Sequence, residues 1–186
     1  AVIHLAGMTS DKACQLQPQE AASVNLGAFQ GLVTASLEAG VKRFIFLSSA
    51  AAYGSSEKPF KETSPLLPNT DYGRYKKACE EFLGLPTSGK MSCYVLRPAG
   101  LCGYAPRMRF DLMVNMMTAH AVLNGRIEIA GGEQIRPHVH IRDLLGVIQR
   151  LLTANITGTV FNVVHDNQSV THTANLVKTT VERVMK

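Results

Sequence analysis

Apolar residues follow two rhythms along this chain. Short apolar runs, AVIHLAG at residues 1–7, FIFL at 44–47 and the centre of MSCYVLRPAG at 91–100, each pass into small or turn-forming residues, the pattern of strands buried on both faces. Between the first two, Val24, Phe29, Leu32, Val33 and Leu37 recur at helical spacing over 18–39, with Pro18 at the start and Gly40 just past the end. A loop rich in serine, proline and glycine, AAAYGSSEKPFKETSPLLPNT at 50–70, follows the second run, and long loops after buried strands often carry function. Asn69, Thr70 and Asp71 are each able to cap a helix running through YGRYKKACEEFLGL until Pro86.

Strand, helix, strand, loop, helix, strand is the order of a parallel sheet with right-handed crossovers, so the fold class is α/β. After Gly103 the order changes. The pattern predicts a Met-rich helix over 107–125, a short strand in RIEIAGG at 126–132, a helix over 141–155, a strand over about 158–164 and a closing amphipathic helix over 171–186. There is no internal repeat and no low-complexity segment.

Composition narrows the classes. With 186 residues and 46% hydrophobic content the chain is long enough for a packed core. No apolar run reaches the roughly 18 residues of a spanning helix, and residues 1–7 lack the basic flank of a signal peptide, so no membrane association is expected. Cys14, Cys79, Cys93 and Cys102 are scattered without a C-x-x-C pair, which predicts reduced thiols in a cytoplasmic protein. The net charge of +5 is spread over single and paired basic residues rather than a dense patch, so no nucleic-acid partner is expected.

The candidate chemistry lies in DYGRYKKACEE, residues 71–81. Residues four apart share a helical face, so Tyr72 stands beside Lys76, whereas Tyr75 has Cys79 at the same offset. An ammonium next to a phenol stabilises the phenolate and lets it exchange a proton with a substrate hydroxyl near neutral pH. Ser48 and Ser49 end a strand one crossover earlier, at the sheet edge where open α/β folds hold ligands.

Taken in order, VIHLAG, Asn25, FIFLSSAAAYG, DYGRYKKACEE, LRPAGLCG and QIRPHVHIRDL resemble the extended short-chain dehydrogenase/reductases, in particular the NAD-dependent sugar-nucleotide epimerase/dehydratase branch, through nearly the whole chain. The resemblance implies a partial Rossmann-like doubly wound sheet containing only the later strands. Residues 1–98 would be the C-terminal half of an NAD(P)-binding domain and 99–186 mainly a substrate-binding region, with the strand near 158–164 able to return to the sheet. It implies NAD or NADP as cofactor, held by Leu5, Ala6, Gly7, Ser48, Tyr72, Lys76, Pro98 and Ala99. Tyr72, Lys76 and Ser49 would be catalytic, Ser49 would also touch substrate, and Arg136 and Arg107, with Arg109 beside them, would face the phosphates of a nucleotide-linked sugar. The activity implied for the full-length protein is epimerase or oxidoreductase, and the assembly a homodimer. Reductases of flavonoid or steroid carbonyls share the trio, and a truncated, non-catalytic binding module is the rival from another class.

The sequence departs from the pattern in places. Ala50 and Ala51 stand where family dehydratases carry an Asp-Glu pair, and Gly100 replaces an asparagine that holds the nucleotide. A Gly-rich pyrophosphate turn and two βαβ units, roughly 60 residues, would precede residue 1, which leads to the expectation of a fragment with an apolar edge at AVIHL. GLPTSGKM at 84–91 has phosphate-loop spacing but runs from helix into strand, with Met91 in place of Ser/Thr. His138 and His140 lack a third ligand, so no metal site is expected.

Overall fold

The computed structural model describes residues 1–84, 91–154, 156–157 and 159–186, so the centre of GLPTSGKM and the end of the helix at Pro86 lie outside the described residues. The chain divides into two compact units, 1–98 with 148–162, and 99–147 with 163–186.

The first unit is built on a sheet in the order β1 (Val2–His4), β2 (Arg43–Leu47), β3 (Ser92–Pro98), β6 (Val160–Val163), whose last residue belongs to the second unit. β1 runs parallel to β2 and β2 to β3, in the register Ile3, Ile45, Tyr94. The parallel order follows from the crossovers, which are helical. The first contains α1 (Asp11–Leu16), α2 (Pro18–Ala22), a π-helical turn (Ser23–Gly27) and α3 (Ala28–Glu38), and the second contains α4 (Asp71–Gly84). Phe29 and Val33 of α3 and Cys79 and Leu83 of α4 meet Phe44, Phe46 and Val95 of the sheet in one buried cluster. Of the five positions read at helical spacing, Phe29 and Val33 are in this cluster and Leu32 and Leu37 pack against it, whereas Val24, in the π-helical turn, is exposed. At the other edge of the sheet, Ile3 is 38% and Leu5 58% exposed.

The second unit pairs β4 (Gly100–Cys102) with β5 (Ile135–His140) in parallel and β5 with β7 (Asp166–Ser169) antiparallel. Helix α5 (Met113–Asn124) ends at Gly125 in the left-handed conformation, a common helix stop. Its Met117 is buried with Val170, Ala174 and Val177 of α7 (Val170–Val184), so the Met-rich segment is core. α6 (Ile141–Thr153) passes from one unit into the other at Ile148, so the second half of this helix groups with the first unit together with the following strand.

One expected strand is displaced. RIEIAGG at 126–132 alternates as a strand should, yet it forms no ladder, and the strand lies at 135–140 instead. The alternation serves packing: Ile127 lies against the α5 and α7 cluster, while Arg126 and Glu128 pair in solvent. The glycines that follow, Gly131 and Gly132, take positive φ and turn the chain away.

Candidate active site

At the C-terminal end of β2 the backbone carries three successive devices. Leu47 offers its carbonyl, Ser48 is 2% exposed, and Ser49, in extended conformation, caps a 3₁₀ turn (Ala50–Tyr53) by accepting the Ala51 N–H at 3.1 Å. Helix α4 comes against this strand end at two points. A Cβ on Gly73 would lie 2.5 Å from the Ala51 carbonyl oxygen and 2.9 Å from Pro68 Cβ, so only glycine permits the approach. One turn on, Lys76 Nζ donates to the Leu47 oxygen at 2.7 Å. Replacing Gly73 by alanine is expected to cost about 1–3 kcal/mol despite alanine's better helix propensity, read as a lower denaturant midpoint; an unchanged midpoint would show that the contact yields easily.

The spacing argument about the two tyrosines meets the geometry here. Lys76 Nζ lies 5.5 Å from the centroid of the Tyr72 ring and 4.7 Å from that of Phe46. Tyr75 points elsewhere, its hydroxyl donating to the Pro18 carbonyl at 3.3 Å. Lys76 is only 8% exposed, and burial pulls its ammonium down from 10.5 to about 8, with the nearby Cys79 and Glu80 opposing the shift. Burial pushes the Cys79 thiol up to about 12, so at neutral pH Cys79 carries no charge and Glu80 is the anion acting on Lys76. His4 of β1, half-buried against Phe29, is held below its usual range by burial and by Lys76, which favours a neutral imidazole.

Among the other expected site residues, Gly7 takes φ 147°, and a side chain there would meet Asn25 Oδ1 at 2.7 Å. Asn25, buried in the π-helical turn, brackets Met8 with both ends of its amide, at 2.8 and 3.1 Å. Leu5 and Ala6, between β1 and this anchor, are exposed. Ser48, buried at the strand end, donates its hydroxyl to Glu80, which ties it to α4. Pro98 and Ala99 are buried, and the Ala99 N–H is used by the Val163 carbonyl. Arg107 and Arg136 are exposed in the second unit, and Arg109 is paired with Asp111 through two bonds of 2.7 and 2.6 Å. Among the described residues no cluster of metal-ligating side chains occurs, and no helix is long and apolar enough to cross a membrane.

Sequence reasoning missed the polar network beneath the site. Arg97, at the end of β3, makes three bonds of 2.6–3.2 Å to the Glu80 carboxylate, and donates to Tyr53 Oη at 2.6 Å and to the Glu62 carbonyl at 3.0 Å. Tyr53 in turn donates to Asn162 and stacks on Phe60. The one available signal was spacing, since Tyr72, Lys76 and Glu80 continue a single four-residue step.

Residues 1–164 match the profile of the NAD dependent epimerase/dehydratase family. The chain belongs to that family. Protein YeeZ of Escherichia coli K12 is 34% identical over 139 residues, 74% of this chain and 45% of YeeZ. A UDP-glucose 4-epimerase of Azospirillum brasilense is 28% identical over 163 residues, 77% of this chain and 46% of its own. Among solved structures, MoeE5 in complex with UDP-glucuronic acid and NAD superposes with a TM-score of 0.85 at 27% identity, covering 97% of this chain and 62% of MoeE5. This epimerase/dehydratase chain thus spans about half the length of the curated relatives it matches.

Proposed function

We propose that the native protein is an NAD(P)-dependent epimerase, or a close oxidoreductase, acting on a nucleotide-linked sugar through a keto intermediate, with Tyr72, Lys76 and Ser49 as its catalytic residues. The observation that carries the reading is the buried Lys76 ammonium beside the Tyr72 ring at the end of β2. The residues fit a nicotinamide cofactor: Leu5 and Ala6 lie exposed at the C-terminal end of β1, beside the Gly7 backbone, and Tyr72 and Lys76 stand at the end of the neighbouring strand, where parallel sheets receive ligands. When bound, that group supplies the reversible acceptor of hydride.

The chain's own residues handle the proton. Tyr72 takes it from a sugar hydroxyl, and the Lys76 charge stabilises the resulting phenolate. Ser49 accepts the Ala51 N–H, and its own O–H is left to donate to the reacting sugar oxygen. Tyr72 would return the proton to the same oxygen, and hydride returned from a cofactor held by these residues to the opposite face of the carbonyl carbon would give the epimer. Ala50 and Ala51 form the 3₁₀ turn without any acidic side chain, which favours epimerisation over elimination of water. Arg136 and Arg107 are the candidate contacts for the diphosphate, Pro98 and Ala99 are candidate cofactor contacts at the end of β3, and the assembly is a homodimer in this reading. The Azospirillum epimerase and the UDP-glucuronic acid bound by MoeE5 support a nucleotide sugar as substrate class.

The test uses the native protein with NAD or NADP and a panel of uridine and thymidine diphosphate sugars. Tyr72→Phe is expected to lower kcat by about 10²–10⁴-fold while bound nicotinamide is retained. Absence of nicotinamide binding would point to a binding module, and undiminished turnover by Tyr72→Phe would remove this residue from the mechanism.

A further inference from the structure

Glu80 is committed on every side. Its carboxylate accepts the Ser48 hydroxyl and three bonds from Arg97, and the side chains of the ion pair are only 5% (Arg97) and 7% (Glu80) exposed. Ser48 is the neighbour of Ser49, and Glu80 lies one helical turn beyond Lys76, which itself lies one turn beyond Tyr72. Through Arg97 the same network reaches the Tyr53 hydroxyl and the Glu62 carbonyl in the loop that follows Ser49. Each segment that supplies a proposed catalytic group is therefore tied to one carboxylate. A buried ion pair of this kind is weak as a source of stability and is better attested as a device for fixing register.

We propose that Glu80 is a positioning residue for the Tyr72–Lys76 face, holding α4 in phase with the ends of β2 and β3 and placing a fixed negative charge one helical turn from the Lys76 ammonium. The inference deepens the proposed function and takes its roles for Tyr72, Lys76 and Ser49 from it. The charged and titratable groups around Lys76 are His4 from β1, and Tyr72, Cys79 and Glu80 from α4. His4 and Cys79 are kept neutral by burial, which leaves Glu80 as the fixed charge. Around Glu80 stand Lys76, Cys79, Arg97 and, through Arg97, Tyr53.

The test follows the Lys76 titration directly, by NMR of protein labelled at the lysine ε-carbon, so it does not depend on turnover. Because Glu80→Gln alone strands the Arg97 charge, the informative pair is Glu80→Gln with Arg97→Gln, compared with Arg97→Gln alone. Arg97→Gln keeps the carboxylate and removes its counter-charge, so it is expected to leave the Lys76 midpoint in place or raise it; relative to that single variant, the double variant is expected to lower the midpoint by about 1 pH unit. Equal midpoints in the two variants would overturn the charge assignment. In the native protein the double variant is further expected to lose kcat with little change in KM. A Lys76 shift without loss of turnover would leave the electrostatic link standing and refute the proposed function's use of Lys76.

Discussion

Cutting Glu80 back to alanine is expected to destabilise the protein by about 3–5 kcal/mol. Arg97 would keep its charge while losing three bonds, in a site where its side chain is 5% exposed. In the intact protein burial alone would depress this guanidinium, yet its bonds to Glu80 and Tyr53 raise it; the alanine variant removes the Glu80 support and leaves the buried guanidinium with only Tyr53 and the Glu62 carbonyl. Ser48, 2% exposed, would lose its acceptor as well. Replacing both partners by apolar residues, Glu80→Leu with Arg97→Met, is expected to recover most of the loss, because no charge is then left buried. Urea midpoints of the three proteins decide the matter. If the double variant falls as far as the single one, hydrogen bonding to Tyr53 and Ser48, rather than the uncompensated charge, dominates.

Lys76→Met should act in the opposite direction on stability. The native ammonium titrates near 8 against 10.5 for an ordinary lysine, so between these values the unfolded chain holds a proton that the folded chain has released. Stability of the wild type therefore rises with pH across that window, by about 3 kcal/mol in all, and the full penalty is present below pH 8. Methionine has similar length and no charge. At pH 7 the variant is expected to gain about 2 kcal/mol, the remainder offsetting the hydrogen bond lost at the Leu47 carbonyl. The advantage should shrink as the pH approaches 10.5. Comparing the two proteins at pH 7 and pH 10 isolates Lys76 from the other groups that titrate there; a constant difference between them would mean that the ammonium is not desolvated. Under the proposed function the more stable variant is also the inactive one, a sign that Lys76 is held at a cost to the fold.

Much of this was readable beforehand. β1, β2 and β3 announce themselves as apolar runs ending in small residues, and α4 separates Tyr72 from Tyr75 by helical spacing alone. Elements whose pattern carries no apolar signal were hidden. β7 is DNQS, four polar residues at the edge of its small sheet, and α1 buries only Cys14. The Glu80–Arg97 pair was hidden for a different reason. Seventeen residues separate the partners, and neither spacing nor composition states that a helix turn and a strand end will meet. Gly73 looks like a helix-weakening residue until Ala51 is seen against it.

The π-helical turn at Ser23–Gly27 has a consequence for how this helical run reads its own sequence. A regular helix advances about 100° per residue, and a wide turn inserts extra chain without extra rotation. Asn25 can therefore face Met8 while Phe29 and Val33, only a few residues on, face the sheet. Upstream and downstream stripes are keyed to two different angular frames. Deleting a single residue from that turn would leave each half individually helical and yet rotate one against the other, so either the Met8 anchor or the aromatic core would be aimed into solvent.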